Sequence, residues 1–227
     1  MVLYMDSLFN ALGFYRPKGE YMSKIEYETA CGFLIPRHYS GRIPNIKYAF
    51  GLFEDGVLQA VCTFGIPASP SLCKGIAGDK WRKQVIELNR LCRKDEYDKP
   101  LSHFVAWCLK QLKQFNYIVV SYSDTAMNHH GYIYQACNFL YTGMTKSRTD
   151  KYTEGNKHSR HYDNSIQENK RKVRSAKYRY VYLCADKRVK KQMLKDLKYP
   201  ILNYPKGDNS NYTLGEYLKP QVIEQRS

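Results

Sequence analysis

A chain of 227 residues accommodates one domain, or one domain with an appendage, and can bury a core without disulfide staples. At 43% hydrophobic and 25% charged residues it is not a disordered polyelectrolyte, and no apolar run approaches the roughly 18 residues of a membrane-spanning helix. With 36 Lys+Arg against 21 Asp+Glu, a net charge of +15, and 21 Tyr, it suits a polyanion whose bases can stack on aromatic rings.

Residues 1–21 read as a loosely attached arm. Ser7 to Phe14 forms a short amphipathic stretch, and Met22 offers a second start. The start of the chain lacks the basic and apolar regions of a secretory signal. From 22 to 227 the pattern is that of a single domain. Lys24 to Phe33 predicts a helix that Pro36 ends. Tyr48–Phe53 and Val57–Phe64 predict two strands joined by Glu54-Asp55-Gly56, a hairpin signal. Pro67, Pro70, Gly75 and Gly78 punctuate a long loop. Gln84 to Leu91 predicts a third strand. Pro100-Leu101-Ser102 opens a helix whose Leu101, Phe104, Val105, Cys108, Leu112 and Phe115 follow the helical period. Tyr117 to Ser121 predicts a short buried strand, and Gly131 to Phe139 a helix. Tyr178 to Cys184 predicts a late strand, and Lys187 to Leu197 a charged helix. An antiparallel hairpin followed by strand, helix, strand and helix predicts an α/β fold. Its central sheet is mixed, mostly antiparallel and flanked by helices, in the order of an N-acyltransferase-like (GNAT) fold.

Residues 144–179 stand apart. They hold 11 Lys+Arg and 4 Asp+Glu, a net +7 in 36 residues, and few aliphatics. Such a run is either a solvated insertion or a phosphate-binding surface. The excess of charge favours the second, with Lys146, Arg148, Lys151, Lys170, Arg171, Lys172 and Arg174 facing double-stranded DNA, joined by Arg37 and Arg42. The seven cysteines are scattered without C-x-x-C spacing. That excludes a zinc ribbon or thioredoxin motif and reads as reduced thiols in a cytoplasmic protein.

Three polar segments sit where chemistry is expected. These are Arg37-His38-Tyr39-Ser40-Gly41-Arg42, Ser121-Tyr122-Ser123-Asp124 at a strand end, and His129-His130-Gly131-Tyr132-Ile133-Tyr134-Gln135 at a helix start. Taken singly, His38 is most simply a structural histidine, Asp124 a turn or cap residue, and Tyr134 a packed ring. In the third strand, Glu87 and Asn89 are expected on one face and Arg90 on the other. They line either a half-exposed sheet or a substrate cleft. Nucleotide-binding glycine loops, a G-x-S-x-G elbow and the zinc-deaminase signature are all absent.

In order, Arg37 to Pro44, Val85 to Leu91, Ser121 to Asp124, His129 to Phe139 and Tyr141-Thr142-Gly143 resemble the phage Mom-like DNA adenine-modification proteins. The resemblance spans roughly residues 24–145. It implies a GNAT-related fold, and conversion of adenine in DNA to carbamoylmethyl-adenine at the exocyclic amine, shielding phage DNA from host restriction. It implies His38, Asp124 and Tyr134 as active-site residues and as ligands of an iron ion; Tyr39, Glu87 and Arg90 are further catalytic candidates of the same segments. A metal-free alternative keeps Tyr134 as a general acid or base. Ordinary GNAT members carry a Q/R-x-x-G-x-G/A loop that cradles acetyl-CoA. Here Asp98 to Phe104 has no glycine, so acetyl-CoA is not the expected donor, and Ser102 is the cofactor-binding candidate of this stretch. Two rival functions follow from the same residues: a non-catalytic nucleic-acid-binding protein, and an acyltransferase for a protein or small molecule.

Overall fold

The computed structural model describes residues 18–38, 40–153, 170–207 and 221–224. A seven-stranded sheet has the order β1-β2-β3-β4-β5-β9-β6. Its strands are β1 (Glu20–Lys24), β2 (Tyr48–Glu54), β3 (Val57–Gly65), β4 (Val85–Arg93), β5 (Tyr117–Asp124), β6 (Leu140–Met144) and β9 (Lys177–Cys184). Only the β4–β5 pair is parallel; the other neighbours are antiparallel. This is the mixed, mostly antiparallel sheet flanked by helices expected from the element order. A second sheet, β10-β8-β7, joins β7 (Arg148–Lys151), β8 (Lys170–Arg174) and β10 (Val222–Glu224). Among the described residues no helix is long and apolar enough to cross a membrane.

The local signals explain most elements. Asp55 and Gly56 have φ of 49° and 76°, the paired positive values of a two-residue type I′ hairpin turn. α3 (Ser102–Leu112) buries Phe104, Val105, Cys108, Leu109 and Leu112 against Phe50, Leu52, Cys62, Phe64, Ile86 and Leu88 on one sheet face. On the other face, α2 (Pro70–Ala77) and α5 (Lys187–Asp196) deliver Cys73, Ile76 and Met193 to Val85, Ile118, Val120 and Val181. α1 (Tyr27–Leu34) covers Ala49, Val61 and Cys92.

Several expectations are corrected. Glu20 and Tyr21 belong to β1, paired with Glu54 and Phe53, so the arm cannot extend to residue 21; residues 1–17 lie outside the described residues. Lys24 closes that strand, and α1 starts only at Tyr27. The loop from Pro67 to Gly78 holds α2. Its start signals outweigh its punctuation: Ser69 accepts the Leu72 N–H at 3.4 Å, Pro70 takes the first helical position, and Gly78 at φ 83° ends it. The helix expected to reach Phe139 is only α4 (Tyr132–Ala136); Asn138, at φ 59°, turns the chain so that Phe139 enters the core. The basic insertion is no plain loop, because its described ends form β7 and β8.

Candidate active site

β4 pairs regularly with β3 until its register slips. Thr63 faces Arg90 and Phe64 faces Leu88, so Asn89 is one residue too many, a β-bulge. The extra residue resets the alternation of side chains. Ile86, Leu88 and Leu91 all point to the α3 side, while Val85 and Cys92 point to the other. Glu87 and Arg90 therefore share one face, contrary to the simple alternation, which had paired Glu87 with Asn89.

Asn89 itself is a tie. It accepts from the Thr63 hydroxyl at 2.7 Å and donates to the Asn45 carbonyl at 2.8 Å. Asn89→Leu should lower stability by about 1–3 kcal/mol in urea unfolding, because it strands the fully buried Thr63 hydroxyl. Adding Thr63→Val should recover part of the loss. Full additivity of the two losses would contradict this account.

Past the bulge, β4 and β5 separate. Their parallel register covers only Val85–Glu87 against Ile118–Val120. Beyond it, the buried Ser121 hydroxyl bridges to the Leu88 carbonyl at 2.9 Å. The diverging strand ends open a cleft of about 1120 Å³. Arg37 and His38 reach it from the end of α1, and Glu87 to Arg93 from β4. Tyr122 to Asp124 enter from β5, His129 and Gly131 to Tyr134 from the turn into α4, and Lys146, Arg148, Arg174, Ser175 and Lys177 from the basic segment.

His38 is 6% exposed. Its Nδ1 accepts the Ser40 N–H at 3.1 Å, so the neutral ring carries its proton on Nε2. Burial, and then the charges of Arg90, Lys177 and His129, push its pKa down to about 3. Glu87 moves the other way: burial raises its carboxyl, and Arg90 and Lys177 only partly oppose this. Burial also lowers His129, with Asp124 opposing and His130 adding to the effect.

Asp124 makes three polar contacts. One oxygen accepts from the Ala126 N–H at 3.0 Å and the Ser175 hydroxyl at 2.5 Å; the other pairs with the Lys177 ammonium at 2.8 Å. Burial would raise this carboxyl, but Lys177, Ser175 and the Ala126 amide hold it below its ordinary value. The pair follows from register, Asp124 lying opposite Lys177 across β5 and β9. Tyr134 rests on Phe139 and Tyr180, with ring centroids 5.4 and 5.3 Å away, and still lines the cleft.

Of the expected site residues, His38, Glu87, Arg90, Asp124 and Tyr134 thus meet at one cleft. Tyr39 lies outside the described residues. Ser102 opens α3 but does not line the cleft. Beside it the Glu20 carboxylate meets His103 Nε2 at 2.8 Å. Arg37, Lys146, Arg148 and Arg174 line the cleft; Arg42, Lys151, Lys170, Arg171 and Lys172 do not. Sequence reasoning missed Tyr122, His129 and Lys177. Tyr122 and His129 lay within the flagged segments, whereas only the sheet register reveals Lys177.

The donor set as arranged does not fit a metal ion. Asp124 turns one oxygen to the Lys177 ammonium at 2.8 Å, whose positive charge repels a cation there. The Ser40 amide commits the Nδ1 lone pair of His38 and leaves its proton on Nε2. Among the described residues no three His, Cys, Asp or Glu side chains gather to hold a metal ion. Tyr134 would have to join His38 and Asp124 only after the Asp124–Lys177 pair had broken.

Residues 20–206 match the model of the Mom protein family. No curated protein sequence matches the chain. Similar solved structures include an N-acetyltransferase from Staphylococcus aureus Mu50, at 13% identity and TM-score 0.47, covering 74% of this chain and 99% of that one. A Bacillus subtilis acetyltransferase in complex with CoA shows 12% identity and a TM-score of 0.43, over 74% of this chain and 99% of that one. The ribosomal-protein-S18-alanine N-acetyltransferase from Escherichia coli shows 9% identity and a TM-score of 0.44, over 74% and 95%.

Proposed function

The chain belongs to the Mom protein family, and from that membership we propose that it is a DNA-modifying transferase. Its reaction converts adenine to carbamoylmethyl-adenine at the exocyclic amine, and its purpose is to protect phage DNA from host restriction. The observation that carries this reading is the composition of one cleft. Arg148, Arg174 and Lys146 bring cations for a DNA strand to the same cavity that holds Glu87, His38 and Tyr134.

The amine of adenine is a poor nucleophile because its lone pair is delocalised into the ring. In the proposed reaction the amine nitrogen bonds to the methylene carbon of a carbamoylmethyl donor. The donor's leaving group departs with the bonding pair, and the nitrogen loses one proton. Glu87 takes that proton: it lines the cleft, and burial raises its affinity for a proton. Arg90 shares its face and steadies the carboxylate that must exist beforehand. Neutral His38 carries an Nε2–H donor suited to an oxygen of the donor group. Asp124 and Lys177 tie the ends of β5 and β9 together, and Ser175 brings the end of the basic segment to the same carboxylate. A base inside a duplex must leave the stack to reach such a cleft, and Tyr134 offers it a ring.

DNA from cells expressing the protein should contain a deoxyadenosine variant heavier by one carbamoylmethyl group, read by nucleoside mass spectrometry. That DNA should resist restriction enzymes that read adenine in the major groove, where the exocyclic amine is a donor. An adenine product of another mass would reject the carbamoylmethyl assignment. Unmodified adenine with folded protein present would favour a DNA-binding protein without catalysis.

A further inference from the structure

The small sheet sorts its charges by face. Residues directly opposite, and those two apart on a strand, point the same way. The register sets Glu224 opposite Lys170, Asp150 opposite Lys172, and Arg148 opposite Arg174, so these six share one face. Thr149, Val173, Lys151, Arg171 and Ile223 take the other, where Thr149 occupies the Arg171 guanidinium at 2.7 and 2.9 Å.

Along the first face the balance of charge changes. Two rungs pair a cation with a carboxylate. The third sets two arginines against each other, an arrangement that destabilises a sheet. Asp150 reaches both, at 3.2 Å from Arg174 and 3.6 Å from Arg148, but one carboxylate cannot neutralise two guanidinium groups. This unbalanced end is the one that lines the cleft. Arg42 lies close enough for its charge and that of Arg174 to act on each other. The Arg42 carbonyl is held by Arg90 at 3.2 Å. Burial, and then the charge of Arg174, lowers the proton affinity of the Arg42 side chain. Lys172 is lowered too, by burial and then by Arg42 and Arg174, with Asp150 opposing. Cations crowded together in this way fit an anion between them.

We propose that Arg42, Arg148 and Arg174 form a seat for one phosphodiester group of a DNA strand, the group next to the nucleotide whose base occupies the cleft. The proposal rests on DNA being the substrate. It separates this seat from the outer face of the same basic segment, which contributes field but no fixed contact.

The test is a chemical cycle on an oligonucleotide containing a single adenine. In one version the phosphate next to that adenine is replaced by a neutral methylphosphonate. With full-length wild-type protein, the replacement should weaken binding about tenfold or more, the size of one charge-assisted contact. Arg174→Ala and Arg148→Ala should each weaken binding to the ordinary oligonucleotide by a similar factor and reduce the salt slope by about one. Each variant should also be nearly blind to the methylphosphonate. Arg188→Ala, which removes the same charge from exposed α5, should keep the wild-type response. Equal loss from a methylphosphonate placed far from the adenine would overturn the seat, as would losses that simply add in the variants. The wild-type comparison needs no substitution, so a misfolded variant cannot rescue the idea. A methylphosphonate effect without any carbamoylmethyl product would keep the seat and reject the proposed chemistry.

Discussion

Glu87→Gln should abolish carbamoylmethyl-adenine formation without lowering the affinity for DNA, and it should make the protein more stable at neutral pH. The two effects share one cause. Glutamine keeps the shape of the side chain but cannot take a proton. Losing a general base costs about a hundredfold to ten-thousandfold in rate. The folded protein raises the Glu87 carboxyl above its ordinary value of 4.5, mainly by burial. The folded chain therefore binds this proton more tightly than the unfolded chain does. Ionising the group costs folding free energy; that cost is absent below the unfolded value and fully present above the folded one. Wild-type stability from this group thus falls as pH rises through that window, while activity rises through the folded value. The glutamine amide does not ionise. Melting curves of the two proteins should converge in acid and separate at neutral pH, with the variant higher. Single-turnover product yield against pH should show an acid limb in the wild type. A Glu87→Gln protein that modifies DNA at the wild-type rate, or melts lower at neutral pH, would contradict the assignment.

Gly65→Ala should be among the most damaging single substitutions in the chain. A Cβ at Gly65 would stand 1.7 Å from the Asn45 carbonyl oxygen and 2.8 Å from Asn89 Nδ2. Those atoms cannot yield separately, because Asn89 donates to that same carbonyl and also holds Thr63. The methyl group must push the backbone at Asn45 away from the end of β3. Overpacking against fixed backbone costs about 3 kcal/mol, and sometimes more. The midpoint of urea unfolding should fall accordingly. The displaced segment leads back to Arg42, so DNA affinity should fall with it. Gly32→Ala makes the contrast. Its Cβ meets nothing within 4 Å, and removing glycine from the middle of α1 should gain about 0.5–1 kcal/mol. Equal effects of the two substitutions would refute the steric argument.

Local chemistry made much of this fold legible. Asp55-Gly56 declared the hairpin, and the apolar period of α3 declared a buried helix. The flagged polar segments do converge on one cleft. What stayed hidden depends on partners distant in sequence. Nothing local marks Asn89 as the extra residue of β4, since a bulge is defined by the register of β3. Strict alternation therefore put Arg90 on the wrong face. Lys177 was one cation among many until β9 set it opposite Asp124. β7 and β8 carry no apolar alternation to announce them, since their rungs set mostly charged side chains opposite one another. The basic stretch and the candidate site lie far apart along the chain, so nothing local shows that they meet. Folding brings Arg148 and Arg174 to the cleft of His38 and Glu87.

The short parallel register between β4 and β5 bears on the order in which the molecule assembles. The strands β1 to β4 pair in chain order, with β2 and β3 joined by a two-residue turn. β5 must find β9 across the whole basic segment, and contacts so far apart in sequence form slowly. Between these two halves the sheet has only the rungs from Val85 to Glu87. His38, Glu87 and Arg90 belong to the first half, whereas Tyr122, Asp124, Tyr134 and Arg174 belong to the second. Neither half holds a cleft alone. The cleft exists only where the two halves meet, so it should form only once they have joined and should be lost if that seam parts.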